Sequence, residues 1–497
     1  MRLLSADELA RLSPAEIDAY PAPIPTQVVA SEEFLPIPQT ERQKRVEARL
    51  NELADQHGRR NGLGRRQFFK TAAGMATAFA AMNDVYGPLF GVSAAEAASV
   101  DVAAERAQAL AKQFVFDGHT HFLREDTRIT AFVDMRKAVG KAGWNPELAG
   151  KPQTIEDLKY QNWRKEIFLD SDTKVAIITS APSDIVQDWF ISNDEATAAR
   201  KKVNDEAGSR RLLAHAIFTP GQPGWLDAVD RDIAVNKPEA WKGYTIGDNT
   251  HKDISHYPWR LDDEKLVYPF YEKILKAGYN IVCVHKGLFP PSAERSFPRL
   301  RPYVDVSDVG RAAKDWPQIN FVIYHAGYRW AGAPVVDAWH QFERTGRVEW
   351  VTDLADIPAQ FGVSNVYADL GQIFALTTIV EPRIAAAMLG QLVKGLGADH
   401  VVWGTDAVWT GAPQWQIEAL RRLEIPEDMQ KKFGFRPLGP ADGDVKTAIF
   451  GGNSARLYNY DEKKAGIETD RFAALKQDYE RAGRDPSHLR YGYVLKG

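Results

Sequence analysis

Three observations predict that this sequence folds as an α/β chain closed into a TIM-type (β/α)8 barrel. Eight short apolar runs recur from Gln113 onward with longer helical stretches between most of them, the pattern of repeated β-α units and a parallel sheet. Several runs end in a histidine or an aspartate, where the strands of such a barrel emerge at its mouth and chemistry collects. No glycine-rich phosphate turn follows an early run, as a doubly wound dinucleotide fold would require.

The chain has 497 residues, 44% hydrophobic and 26% charged, enough to bury a large core in an ordinary soluble protein. A net charge of -4 gives no electrostatic case for nucleic acid or an anionic membrane. The single cysteine, Cys283, excludes a disulfide framework and a Cys-rich zinc site.

Residues 1–64 are polar and mixed in charge, with a proline-rich stretch from Tyr20 to Pro38, and are expected to pack little, as an arm on another surface. Gly64-Arg65-Arg66-Gln67-Phe68-Phe69-Lys70, the Ala-rich run Thr71 to Met82 and the small residues Val92 to Ala98 resemble a twin-arginine export signal over 65–98. That resemblance implies a periplasmic protein. The alternative is an ordinary Ala-rich helix with a basic start in a cytoplasmic one. The apolar run is too short for a stable membrane span.

The barrel is expected over 99–460, with a C-terminal extension at 461–497. Its strands are predicted at 114–116, 175–178, 213–218, 241–246, 281–284, 321–324, 366–370 and 401–403. The first run, FVFDGHTHF, sets His119 and His121 two positions apart, on one face of a strand end, where two imidazoles can grip one ion. The fifth run ends in His285 (IVCVHKG), the sixth in His325 (FVIYHAGY), the seventh in Asp369 (YADLG) and the eighth in Asp406 (VVWGTDAVW). One such residue is more often a hydrogen-bonded rim group. Four strands converging with four histidines and Asp406 point to a site.

GHTH, VHKG, YHAGY and WGTD, the stretch WRLDDEKLVYPFYEKILKAGYNIVCVH and the closing IFGGNSARLYNY resemble the metal-dependent amidohydrolase superfamily. The resemblance is to the branch of aminocarboxymuconate-semialdehyde decarboxylase and related aromatic-acid decarboxylases and hydrolases, and it runs from about Phe114 to Tyr460. It implies His119, His121, His285 and Asp406 as metal ligands, with His325 as a nearby acid/base group. Many two-metal relatives carry a carbamylated lysine at the end of strand four. Here Lys242 (WKGYTIG) stands early in that strand and Thr245 nearer its exit, so one divalent ion is expected. Lys242 is expected to be a solvated side chain at the barrel's bottom. Zinc is the first choice for these N/O ligands, with manganese or iron as alternatives.

Three imidazoles and a carboxylate leave coordination positions open, and a metal so held can lower the pKa of water to about 7. Asp406 could take that water's proton, and His325 could stabilise an oxyanion or move a proton. A hydrolase of an amide, lactone or C–C bond in a small substrate is the first expectation. A decarboxylase of an aromatic or unsaturated acid is the second, and a barrel that only binds the third. Arg124, Arg260 and Arg329 on mouth-facing loops could clamp a carboxylate or form surface salt bridges. Trp330 and Trp409 could wall a pocket or pack the core, and Asp369 could orient a ligand histidine. His215 reads as a satisfied barrel residue. The long connections Leu123 to Trp163 and Gly327 to Phe361 are candidates for specificity, and for pairing two copies as a homodimer. No GxSxG elbow or P-loop is present and Cys283 lies inside a strand, which disfavours a serine or cysteine nucleophile.

Overall fold

The computed structural model describes residues 22–30, 34–145, 148, 150, 154–332, 335–484 and 491–492. Eight parallel strands pair in sequence order: β1 (Phe116–Thr120), β2 (Val175–Ile178), β3 (Leu212–Ile217), β4 (Ala240–Tyr244), β5 (Ile281–His285), β6 (Asn320–Tyr324), β7 (Val366–Asp369) and β8 (Val401–Val402). The chain beyond β8 then returns to β1. Gly118 N donates to Trp403 O at 2.9 Å, Asp406 N to His119 O at 2.8 Å and His121 N to Ala407 O at 2.7 Å. The ring is closed by these bonds, so its last seam runs through the GHTH and WGTD segments. Seven strands begin within a residue of expectation. β1 lies later than its apolar run, because polar Asp117 and Thr120 pair with β2.

Among the described residues five helices precede the barrel: α1 (Glu41–Arg60), α2 (Arg65–Phe68), α3 (Ala72–Tyr86), α4 (Ala94–Ala98) and α5 (Val100–Leu110). The expectation of little packing up to residue 64 therefore fails for α1. Thr40 and Gln43 form its capping box, and Val46, Leu50, Leu53 and Ala54 make a buried stripe at helical spacing. Averaged composition hides that stripe among charges. The Ala-rich run becomes α3, capped by Thr71, and buries Ala73, Ala78, Phe79 and Met82 in the main core. Residues 1–21 and 31–33 of the expected arm, and 485–490 and 493–497 of the C-terminal extension, lie outside the described residues.

Around the barrel run α6 (Tyr160–Phe168), α7 (Asn193–Ala207), α8 (Trp225–Ala234), α9 (Tyr268–Lys276), α10 (Val309–Asp315), α11 (Val351–Phe361), α12 (Ile373–Val380), α13 (Pro382–Gly395) and α14 (Gln414–Arg422). α7 shows the local logic. Ser192 and Glu195 box its start, Ala196, Ala199 and Val203 face inward, and left-handed Gly208 ends it. α12 follows β7 directly and is buried on every side. Among the described residues no helix is long and apolar enough to cross a membrane.

Strand pleating sends alternate residues into the barrel. On β5, Cys283 and His285 share the inner face, paired in register with Lys242 and Tyr244 of β4. Lys242 is accordingly not solvated. It is fully buried, with Nζ 3.3 Å from the centre of the Tyr324 ring and 4.9 Å from that of Tyr244. His215 is satisfied by the Tyr458 hydroxyl at 2.9 Å.

Candidate metal centre

His119 and His121 project from the end of β1 into the barrel mouth, and both are buried. His121 Nδ1 lies 2.8 Å from the carbonyl oxygen of Thr179. A carbonyl only accepts, so this nitrogen carries the proton and Nε2 keeps its electron pair. His119 Nδ1 lies 2.8 Å from Asp369 Oδ1, an oxygen that also accepts the Gly371 N–H at 3.0 Å. His119 therefore donates through Nδ1 as well. The two Nε2 atoms, each with a free electron pair, face one another at 3.0 Å. Asp406 Oδ1 stands 3.2 Å from the first and 3.3 Å from the second. Three electron-pair donors of the N, N, O type converge, and that donor chemistry fits a divalent cation.

Backbone geometry holds this arrangement in place. Asp406 and His325 have φ of 59° and 60°, the left-handed region that costs a non-glycine residue about 1–3 kcal/mol. Asp117 secures the turn that carries Asp406: its carboxylate accepts Thr405 N at 3.0 Å and Thr405 Oγ1 at 2.5 Å, and also His119 N at 3.2 Å. Gly371 and Gly404 permit the close approach. A Cβ on Gly371 would come within 2.3 Å of His119 Nδ1, and one on Gly404 within 2.0 Å of Asp369 Oδ2.

His285 and His325 form a second pair, and His325 also groups with His119 and Asp369, their ligand atoms within 4.8 Å of one another. His325 Nδ1 donates to Gly371 O at 2.9 Å, so its Nε2 accepts from His285 Nδ1 at 3.1 Å. The structure sets His285 against His325, outside the group of His119, His121 and Asp406. The His325 ring centre is 5.0 Å from that of His119. Aromatic rings wall the site: Trp409 stacks on His121 at 5.7 Å and Tyr244 on His285 at 4.8 Å.

Burial, then the charge of Lys242, holds His119 and His121 well below the usual imidazole range. Burial and the adjacent His325 do the same for His285, and burial with Lys242 brings His325 down to about 3. Burial also pushes Asp117 and Asp369 up to about 7. For the His119–Asp369 contact both directions disfavour charge separation, consistent with a neutral ring donating to the carboxylate.

The other candidate side chains are engaged elsewhere. Arg124 pairs with Asp126 at 2.6 Å, Arg260 with Asp262 at 2.9 Å, and Arg329 with both Glu294 and Glu349. Trp330 is half-buried beside Arg329, 5.7 Å from its guanidinium. Sequence reasoning missed Asp117, Thr405, Gly371, Gly404, Tyr244 and the Thr179 carbonyl. Gly404 and Thr405 stand inside WGTD and Asp117 directly before GHTH, so all three could have been found there. A main-chain oxygen leaves no trace in a sequence.

A closed barrel with a buried His/Asp group at the carboxyl ends of its strands defines an enzyme of hydrolase or carboxy-lyase type. The chain belongs to the amidohydrolase family, whose model (Amidohydrolase) matches residues 116–460. Among solved structures, 5-carboxyvanillate decarboxylase from Sphingomonas paucimobilis is 13% identical, with a TM-score of 0.41 over 70% of this chain and 99% of its own. A dihydroxybenzoic acid decarboxylase from Polaromonas with bound manganese is 14% identical, TM-score 0.41, over 70% and 97%. A candidate 2-pyrone-4,6-dicarboxylic acid hydrolase from Pseudomonas putida is 14% identical, TM-score 0.39, over 70% and 98%. No curated protein matches the chain.

Proposed function

We propose that this protein is a hydrolase that works with one divalent ion, zinc by first choice and manganese or iron as alternatives, on an amide, lactone or C–C bond of a small planar substrate. The convergence of His119 Nε2, His121 Nε2 and Asp406 Oδ1 within 3.3 Å of one another carries this reading. His285 would complete the ligand set through Nε2, the nitrogen its bond to His325 leaves with an electron pair. When bound, the ion supplies a Lewis acid and lowers the pKa of water to about 7.

The chain's own residues would do the rest. Asp406 accepts the proton of the attacking water at its carboxylate and returns it to the leaving group. His325, with Nδ1 committed to Gly371 O and its pKa held low, exchanges a proton only at Nε2 and enters as an acceptor. Trp409 and Tyr244 present ring faces to the ligand histidines, which exclude water and suit a flat substrate. Arg124, Arg260 and Arg329 are all occupied by acidic side chains, which favours an uncharged substrate and so the hydrolase.

A carboxy-lyase is the second reading. It draws on Lys242, whose buried charge bears on His119, His121, His285 and His325 and favours an anionic ligand. Metal analysis of the purified enzyme, followed by assays on aromatic lactones and amides against aromatic acids, decides between them. A new carboxylate supports the hydrolase, carbon dioxide release the lyase, and protein that takes up no metal refutes both. Export is proposed on the Arg65–Arg66 pair alone, which stands exposed on α2. Replacing both arginines by lysine should retain the protein inside the cell.

A further inference from the structure

Helix α12 joins two parts of the molecule that the sequence keeps far apart. Its eight residues span about 12 Å at 1.5 Å per residue. At its start lies the Asp369–Gln372 turn, where Asp369 Oδ1 accepts from His119 Nδ1 and Gly371 O accepts from His325 Nδ1. The last carbonyls of a helix have no partner within the helix. Here the N-terminal helices supply the partners. Gln43 Nε2 of α1 donates to Ile379 O at 3.1 Å, and the Tyr86 hydroxyl at the end of α3 donates to Val380 O at 3.2 Å. Arg42 adds an ion pair to the buried Glu381 carboxylate at 2.7 Å. All three interactions fall on the consecutive residues Ile379, Val380 and Glu381.

We propose that α1 and α3 form a fixed stop for α12, and that Gln43, Tyr86 and Arg42 are positioning residues that act through this helix on Asp369 and Gly371. The segment resembling an export leader is then a working part of the enzyme and is retained. Its packing agrees. α3 lies in the same core as α12, α13 and α14. Gly91 N donates to Arg422 O at 2.7 Å, and Glu96 of α4 binds Arg422 at 2.8 Å. Cleavage after Ala98 would remove every one of these contacts.

The functional readout of this inference rests on the metal-site reading, whereas its structural readout does not. The test compares wild type with the Arg42→Ala/Gln43→Ala/Tyr86→Phe triple variant and with Tyr86→Phe alone. In metal-free protein, amide hydrogen exchange across α12 should quicken about tenfold in the triple variant while α7 is unchanged. Zinc affinity, from competition with a chromophoric chelator, should fall about tenfold, near the lower bound for removing a group that orients a ligand. Should the triple variant not fold, Tyr86→Phe alone should show a smaller change in the same helix. Unaltered exchange in α12, or equal acceleration in α7, overturns the inference. So does an intact mass showing that metal-binding enzyme recovered from cells begins after Ala98. If wild type binds no metal, the functional reading fails, and the exchange data still decide this inference.

Discussion

The two histidine pairs at the barrel mouth are built on opposite plans. On the β1 side, His119 and His121 each give one N–H to a fixed acceptor, Asp369 or the Thr179 carbonyl, and point their remaining electron pairs at the same space. On the β5–β6 side, His285 and His325 satisfy one another at 3.1 Å. The first pair sets two electron pairs toward one point, a donor arrangement that fits a cation. In the second pair His285 keeps its Nε2 electron pair while Nδ1 stays bonded to His325, whereas proton uptake at His325 Nε2 means giving up that hydrogen bond, worth about 0.5–1.5 kcal/mol.

The sharpest way to break this contrast is Asp406→Asn, which removes the only carboxylate in the donor group. Turnover should fall at least about 10³-fold together with bound metal, and wild-type metal content would show that Asp406 is no ligand. His325→Gln separates the two sides. Activity should drop about 10²–10⁴-fold while metal content stays near wild type. Parallel loss of both would mean that His325 itself also holds the ion. Asp369→Asn should leave the fold intact and weaken metal binding about 10–100-fold, measured against a chelator.

The smallest effect concerns pH. The folded-state pKa values of His119, His121, His215, His285 and His325 all lie below the ordinary 6.5. The unfolded chain therefore takes up protons first as the pH drops below about 6.5, and stability falls with it. Asp117 and Asp369, raised to about 7, act in the opposite sense and stabilise at low pH. Within the barrel five such groups act against two, so its histidines should lower the melting temperature of metal-free protein between pH 6.5 and 5. A rise over that interval would mean that the histidines are not kept neutral by the fold.

Much of the barrel was legible because strand ends, β-α alternation and motif residues are local signals. His119, His121, Asp406 and Asp369 could be read that way, since each follows an apolar run. The division between the histidine pairs could not, because it depends on Thr179 O and Gly371 O, which any residue would supply. Lys242 was misplaced because the pleat, and not its position along β4, decides that it points inward. The helical nature of 41–98 was obscured by charge in α1 and by the resemblance of 65–98 to a leader. The spacing of Val46, Leu50, Leu53 and Ala54 was the available clue.

Asp117 and Thr405, which clamp the seam of the ring, are 288 residues apart. A chain growing from the ribosome presents its two imidazoles long before the aspartate that must join them has been synthesised. Until the eighth strand is made, His119 and His121 have no carboxylate of Asp406 beside them. The three donors can therefore meet only after the chain beyond β8 has been made and has closed the ring.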